Sequence, residues 1–399
     1  MSILPVNGIR IGSTAAGIRY KERDDLVVIE CQSGTNCAGV FTRNRFSAAP
    51  IQIAKNHLAQ ASPRALLINS GNANAGTGEQ GLQNASLCCQ MLADELDCKA
   101  LEVLPFSTGV IGEQLPLQAF KQALPACVDN LSSDADAWSR ASKAIMTTDT
   151  VPKLFSRKFD VGGSDVTITG MSKGAGMIRP DMATMLAYVA TDAVIEQPVL
   201  QQLLTEATGV SFNRITVDGD TSTNDACTLL ASGAVKMAPV EVNSKEYDQF
   251  LAGLTGMMQE LAQAIIRDAE GATKFITITV SGGESEADCL AVAYTVAQSP
   301  LVKTALFASD PNWGRILAAV GRAPISTLNI ENVSISLNGL PIVTGGQPDP
   351  AYTEELGQKA VASSDISVEI RLGESPEAVT VWTSDLSHEY IRINAEYRT

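Results

Sequence analysis

The chain has 399 residues, 45% of them apolar and 18% charged, with 29 basic against 44 acidic side chains for a formal charge of -15. Such a balance suits a globular protein with two or three cores or one large layered one, and excludes long disordered tracts. An acidic chain with no basic, aromatic-studded stripe is built against nucleic-acid binding, no run approaches the ~20 apolar residues of a membrane span, and residues 1–10 lack the pattern of a secretory signal, so the cytoplasm is the expected location.

Along the chain, short apolar runs bounded by polar residues or glycine predict buried strands over 26–30 and 65–69. Helical spacing follows over 85–96, 117–124 and 137–146. A strand is expected at 165–169, then a glycine-rich stretch from Gly170 to Gly176, then a second apolar strand at 185–190. Helices are expected over 198–207 and 247–267, a strand over 275–280, and a helix over 286–298. Strands over 333–337, 366–372 and 378–382 complete the series, and 339–352, rich in Pro and Gly, reads as a connecting stretch. Strands and helices in this irregular order predict an α+β or mixed α/β layered fold and not a repeating βαβ unit.

Eight cysteines lie scattered with no Cys-x-x-Cys pair, so neither a zinc cluster nor a disulfide framework is expected, and they read as small buried hydrophobes. There are only two histidines. His57 falls in an expected helix and His388 in a polar turn, and neither stands near a Gly-x-Ser-x-Gly motif. A histidine-based triad is therefore a poor basis for any acyl chemistry here.

The most unusual stretch is Met171-Ser172-Lys173-Gly174-Ala175-Gly176-Met177-Ile178-Arg179-Pro180-Asp181-Met182-Ala183-Thr184-Met185-Leu186. Two glycines and a proline constrain the loop, which leads directly into a strand headed by Thr184. A phosphate-cradling loop fails on spacing, because the third glycine of a dinucleotide fingerprint is missing and Lys173 precedes the glycines. Two readings remain: an ordinary turn and core strand, or a nucleophilic Thr184. Without histidine, a threonine can use its own α-amino group, freed by chain cleavage, as base; an α-amine with a pKa of roughly 7.7–8.0 suits that task. Cleavage would proceed by an N-to-O acyl shift at Ala183-Thr184. Nothing local decides between the two.

The segment Lys-Gly-Ala-Gly-Met-Ile-x-Pro-x-Met-Ala-Thr-Met-Leu followed by Thr-Asp-Ala resembles the self-cleavage segment of the ornithine acetyltransferases, the ArgJ family of bifunctional glutamate N-acetyltransferases. Matching blocks run in family order to the last residue. They include Gly39-Val40-Phe41-Thr42-Arg43-Asn44, Asn69-Ser70-Gly71-Asn72-Ala73-Asn74-Ala75, Ser107-Thr108-Gly109-Val110-Ile111-Gly112 and Ile145-Met146-Thr147-Thr148-Asp149-Thr150. Others are Arg267-Asp268-Ala269-Glu270-Gly271-Ala272-Thr273-Lys274, Ser309-Asp310-Pro311-Asn312-Trp313-Gly314-Arg315 and Asn394-Ala395-Glu396-Tyr397-Arg398-Thr399.

That resemblance implies an αββα-type layered sandwich of the DmpA/ArgJ-like kind, self-cleaved into an α chain of residues 1–183 and a β chain of residues 184–399 that interleave. The 183/184 junction is then a processing point and not a domain border. It also implies an α2β2 heterotetramer, small-molecule substrates and no cofactor. The acetyl group of N-acetylornithine would pass to Thr184, ornithine would leave, and glutamate would take the acetyl group; whether acetyl-CoA also serves as donor stays open. Thr108 and Gly109 would stabilise the oxyanion. Substrate contacts would fall to Thr147, Lys173, Thr184, Glu270, Asn394 and Thr399, with Thr148 a neighbour of Thr147 in the same cluster. Lys173 suits a carboxylate and Glu270 the side-chain amine of ornithine.

The chain departs from that pattern at Gly76, where cysteine is expected, and at Ala308, where glycine is usual. Asp218-Gly219-Asp220-Thr221-Ser222-Thr223-Asn224-Asp225 hints at a calcium loop, but Thr223 replaces the required glycine and Leu229 the terminal acid, so it reads as a polar turn shaping the site. The rival reading of function is a self-processed N-terminal-threonine amidohydrolase or aminopeptidase, with water as final acceptor.

Overall fold

In the computed structural model, residues 2–179 and 185–396 are described. Within them the strands form three sheets. The first orders Ile9–Thr14, Leu26–Cys31, Ala65–Asn72 and Val103–Val110. The second orders Asn36–Phe41, Ala226–Ala231, Leu186–Thr191, Ser164–Lys173 and Lys153–Val161. Its Leu186–Thr191 strand pairs in parallel with Ala226–Ala231 and antiparallel with Ser164–Lys173. One sheet thus joins chain from before residue 180 to chain from after residue 184.

Side-chain alternation explains how these two sheets stack. Val27, Ile29, Leu66, Ile68, Leu104 and Phe106 face Leu186, Tyr188, Ala190 and Leu230 of the second sheet in a shared core. The intervening residues Leu26, Val28, Ala65, Leu67 and Val103 turn outward under the helices Gly78–Leu96 and Leu117–Asp129, among Cys88, Cys89, Leu92 and Phe120. On the far side of the second sheet lie Gln197–Gly209 and Lys245–Arg267, burying Leu200, Leu203, Leu204, Phe250, Leu254, Met257, Leu261 and Ile265. The order is helix, sheet, sheet, helix: the expected αββα sandwich.

The third sheet orders Gln347–Pro348, Leu340–Thr344, Ser334–Leu337, Asp365–Arg371, Phe275–Gly282, Ser375–Ser384 and Ile215–Thr216. Ile276, Ile278 and Val280 pack beneath Glu286–Ala297, Pro300–Phe307 and Trp313–Gly321. The Lys245–Arg267 helix connects the units. Ser244 caps its start by accepting from the Tyr247 amide, and its far end delivers residues 268–270 to the junction of the sheets.

Three expectations change. Residues 339–352 are not a linker but contain a strand hairpin, Leu340–Thr344 against Gln347–Pro348. Its turn is Gly345-Gly346, both at positive φ (+60° and +71°), which is why it reads as loop composition. His388 does not lie in a turn; it opens the helix His388–Glu396, whose first amides, Glu389 and Tyr390, donate to the Ser387 hydroxyl. The helix expected from residue 85 begins at Gly78. Seven of the eight cysteines are buried and all are free. Among the described residues no helix is long and apolar enough to cross a membrane.

Candidate functional site

Near its end the Val103–Val110 strand carries Thr108 and Gly109, beside Gly71 of the parallel Ala65–Asn72 strand, where the register shifts between Gly71 and Asn72. Gly109 has φ +134°, and a Cβ there would lie 2.3 Å from the Gly71 carbonyl carbon. Only glycine lets the two strands approach so closely. Thr108 is 8% exposed, and its Oγ1 accepts a hydrogen bond from Lys173 Nζ at 3.1 Å. Lys173 closes the Ser164–Lys173 strand opposite Leu186. Burial pushes its ammonium below the usual lysine range, with Asp149, Asp225 and Glu270 pulling against that and Lys153 adding to it.

Beneath this lies a buried charge cluster. Lys153 Nζ, 1% exposed, contacts Asp149 Oδ1 and Asp268 Oδ2, each at 2.6 Å. Asp149 also accepts from the Gly174 amide at 2.7 Å and the Thr147 amide at 3.0 Å. Asp268 accepts from the amide and hydroxyl of Thr150. Burial alone would push Asp149 up, but the ammonium groups of Lys153 and Lys173, together with these donors, hold it at about 2. The cluster ties the Thr147-Thr148 loop, the glycine loop after Lys173 and the end of the Lys245–Arg267 helix to one point.

The mouth is held by a second carboxylate clamp. Asp218 accepts from the amides of Met177 and Ile178 at 2.7 and 3.0 Å and from Tyr390 Oη at 3.1 Å. Burial raises its pKa against those bonds. The Glu270 amide donates to Ala175 at 2.9 Å. The His388–Glu396 helix, pinned where Ser387 Oγ donates to the Gly271 carbonyl at 2.6 Å, brings Asn394 Nδ2 to Glu270 Oε2 at 2.8 Å. The polar 218–225 segment forms a wall, anchored by Asn224 Nδ2 donating to the carbonyls of Ala73 and Ser107 at 2.6 and 2.9 Å.

These elements enclose a cleft of about 740 Å³ including its open mouth. Thr108, Gly109, Thr147, Lys173, Glu270 and Asn394, six of the residues singled out in the sequence, all line it, with Thr148 beside Thr147. So do Met185 and Leu186, the residues that directly follow Thr184. Ala183, Thr184 and Thr399 lie outside the described residues. Sequence reasoning missed Asp225 as a lining carboxylate and the Asp149–Lys153–Asp268 cluster beneath. Asp149 and Asp268 stood inside the matching blocks, but nothing along the chain announced that Lys153 joins them. No group of His, Cys, Asp and Glu among the described residues is arranged to hold a metal ion.

Residues 10–399 match the ArgJ family. The chain belongs to that family. It is 51% identical over 396 residues to the arginine biosynthesis bifunctional protein ArgJ of Pseudomonas syringae, covering 99% of this chain and 97% of the relative. It is also 51% identical over 397 residues to the protein of that name from Methylococcus capsulatus, covering 100% and 97%. Among solved structures, the arginine biosynthesis bifunctional protein ArgJ of Bacillus halodurans is 34% identical with a TM-score of 0.50, over 52% of this chain and 96% of that one. The ArgJ match runs over residues 10–399, so the strands around the cleft belong to the matched region.

Proposed function

We propose that this ArgJ-family chain is an acetyltransferase of arginine biosynthesis that moves the acetyl group of N-acetyl-L-ornithine to L-glutamate through an ester on Thr184. Family membership over residues 10–399 supports the reaction class. The observation that carries the site is one cleft, bordered by Met185, in which a Lys173–Thr108 pair, the glycine turn at Gly109 and the Glu270–Asn394 pair converge.

In this reading the chain cuts itself between Ala183 and Thr184, giving fragments 1–183 and 184–399. The fragments stay together because the second sheet takes strands from both. The new α-amine takes the Thr184 hydroxyl proton as that oxygen attacks the acetyl carbonyl. Thr108 accepts from Lys173, so its own hydroxyl proton is free to point at the oxyanion together with the Gly109 amide. Ornithine leaves with the proton, and the glutamate amine then attacks the ester. Lys173 meets the substrate carboxylate. Glu270, steadied by Asn394, meets the side-chain ammonium at the mouth, with Thr147 and Thr399 completing the contacts. This chemistry needs no separate cofactor; acetyl-CoA enters as a second acetyl donor to the same threonine. The assembly is an α2β2 heterotetramer in the cytoplasm.

Two measurements test it. A denaturing gel should show two fragments, the second beginning at Thr184, instead of one band of 42.1 kDa. Incubation with N-acetylornithine should yield acetylglutamate when glutamate is present. Acetate release with no acetylglutamate would sink the transferase in favour of the amidohydrolase. Acetyl-CoA in place of N-acetylornithine reads the second donor.

A further inference from the structure

Glu270 stands on irregular chain between the Lys245–Arg267 helix and the Phe275–Gly282 strand, yet it is held from several sides. Its amide donates to the Ala175 carbonyl at 2.9 Å. Its carboxylate lies over Gly176, in space that a Cβ at that glycine would fill. Asn394 Nδ2 donates to Oε2 at 2.8 Å and to the Tyr390 carbonyl at 3.0 Å. Oε1 has no hydrogen-bond partner among the described residues, so it is the oxygen left for a cation in the cleft.

Residues 385–390 add a further hold. Asp385, 4% exposed, accepts through Oδ1 from the amides of Thr273 and Lys274 at 2.8 and 3.0 Å, and through Oδ2 from the Thr273 hydroxyl at 2.5 Å. The strand end that bears it is fixed by the buried Lys303, whose Nζ donates to the Thr383 hydroxyl at 3.0 Å and to the Ser384 carbonyl. Ser387, also buried, donates to the Gly271 carbonyl at 2.6 Å and accepts from the amides of Glu389 and Tyr390 at 3.2 and 3.3 Å. One hydroxyl therefore joins the residue after Glu270 to the first turn of the helix that carries Asn394. The approach is close: Gly271 has φ +67°, and a Cβ there would lie 2.5 Å from the Tyr390 nitrogen and 2.8 Å from Ser387 Oγ. Only glycine fits. Neither Asp385 nor Ser387 falls in a matching block or takes part in the steps above.

We propose that Ser387 is a positioning residue that sets donor specificity: by tying the Glu270 segment and the Asn394 helix to one hydroxyl, it fixes Glu270 Oε1 where the side-chain ammonium of the acyl donor meets it. This rests on the reading of Glu270 as the partner of that ammonium. The attraction between a carboxylate and an ammonium weakens with distance and with entry of water. A loosened Glu270 thus discriminates poorly between a donor that bears the ammonium and one that lacks it. A hydroxyl that only held the fold together would affect both donors alike.

The test compares kcat/KM for N-acetylornithine with that for N-acetylnorvaline, the same carbon chain without the amine, with glutamate as acceptor. Wild type should favour N-acetylornithine, and Glu270→Gln should lose the preference. Ser387→Ala, checked for an unchanged far-UV spectrum, should lower the ratio of the two constants about threefold to tenfold, the worth of one hydrogen bond. The change should lie in KM for N-acetylornithine, while kcat and the N-acetylnorvaline constants hold. Ser387→Thr, which keeps the hydroxyl, should retain the wild-type ratio. The effect of Asn394→Ala should shrink when Ser387→Ala is already present, because both act on one carboxylate. A wild-type ratio in Ser387→Ala, or an equal loss for both donors, overturns the proposal. If Ser387→Ala does not fold, Thr273→Val, which removes the hydroxyl bond to Asp385, decides by the same ratio. A wild type with no preference between the donors, or a Glu270→Gln that keeps it, instead overturns the reading of Glu270 on which this one stands.

Discussion

Asp149 and Asp225 are both buried carboxylates within the influence of Lys173, the first in the floor beneath the cleft and the second in its wall, and they live under opposite electrostatic conditions. Asp149 has an ammonium at 2.6 Å and two backbone amides, and stays ionised down to about 2. Asp225 has an Oδ2 with no hydrogen-bond partner among the described residues, and burial keeps its proton on well above the usual carboxylate range. Depth alone does not set protonation; the count of donors and the nearness of a cation do. A floor that is fully paired can hold loops rigidly, whereas a wall that is left unpaired stores a proton.

The largest effect should come from breaking the floor. Lys153→Met leaves Asp149 and Asp268 buried together without their cation, and a loss of about 3–5 kcal/mol is expected in urea denaturation. Asp225→Asn, a neutral isostere where no cation among the described residues is within contact, should lose none of this stability near neutral pH and should gain on wild type; an equal loss in both variants would erase the contrast.

The pH dependence sharpens the comparison further. Asp149 has a folded pKa of about 2 against 3.8 for an ordinary solvated aspartate, so its contribution is present above about 3.8 and is lost as pH falls through about 2. That limb is on the order of 2 kcal/mol and should be missing from Asp149→Asn. Asp225 has the reverse sign: its folded pKa lies above 3.8, so the native state holds a proton that the unfolded chain releases. Stability is then lost as pH rises from about 3.8 towards the folded value, and Asp225→Asn should gain on wild type across that window. Denaturation curves over a pH series read both limbs, and parallel profiles for the two variants would refute the assignment.

The smallest effect is expected at the third carboxylate. Asn394→Ala frees Glu270 of a 2.8 Å hydrogen bond at a partly exposed mouth. Such a bond is worth about 0.5–1.5 kcal/mol, so KM for N-acetylornithine should rise up to about tenfold with kcat little changed. A large fall in kcat would instead place Asn394 in the chemistry.

Much of the architecture could be read along the chain because it rests on local pattern. The runs at 26–30, 65–69 and 275–280 are apolar enough to be strands in any packing, and each grew by one to three residues in the fold. The hairpin at Leu340–Thr344 could not be read, since the Gly345-Gly346 turn that makes it also gives it the composition of a linker. The helix beginning at His388 was hidden because its cap, Ser387, and its polar first turn look like loop until the amides find the hydroxyl. Thr108, Gly109, Lys173, Glu270 and Asn394 were named from matching blocks, and the fold gathers them into one cleft. Asp225 was passed over as part of a polar turn, because its unshared oxygen is a property of its surroundings and not of its neighbours in sequence.

What the sequence by itself determined is what depends on residue type and spacing: strands and helices from their apolar periods, and membership signals spread from near residue 10 to the end. What only the tertiary structure decided is which charges share a buried volume. Lys153 and Asp268 are 115 residues apart along the chain and 2.6 Å apart in space. Asp225 meets Met185 only through the parallel pairing of Ala226 with Leu186. Electrostatic energy depends on distance and on exclusion of water, and neither exists until the two sheets close on each other.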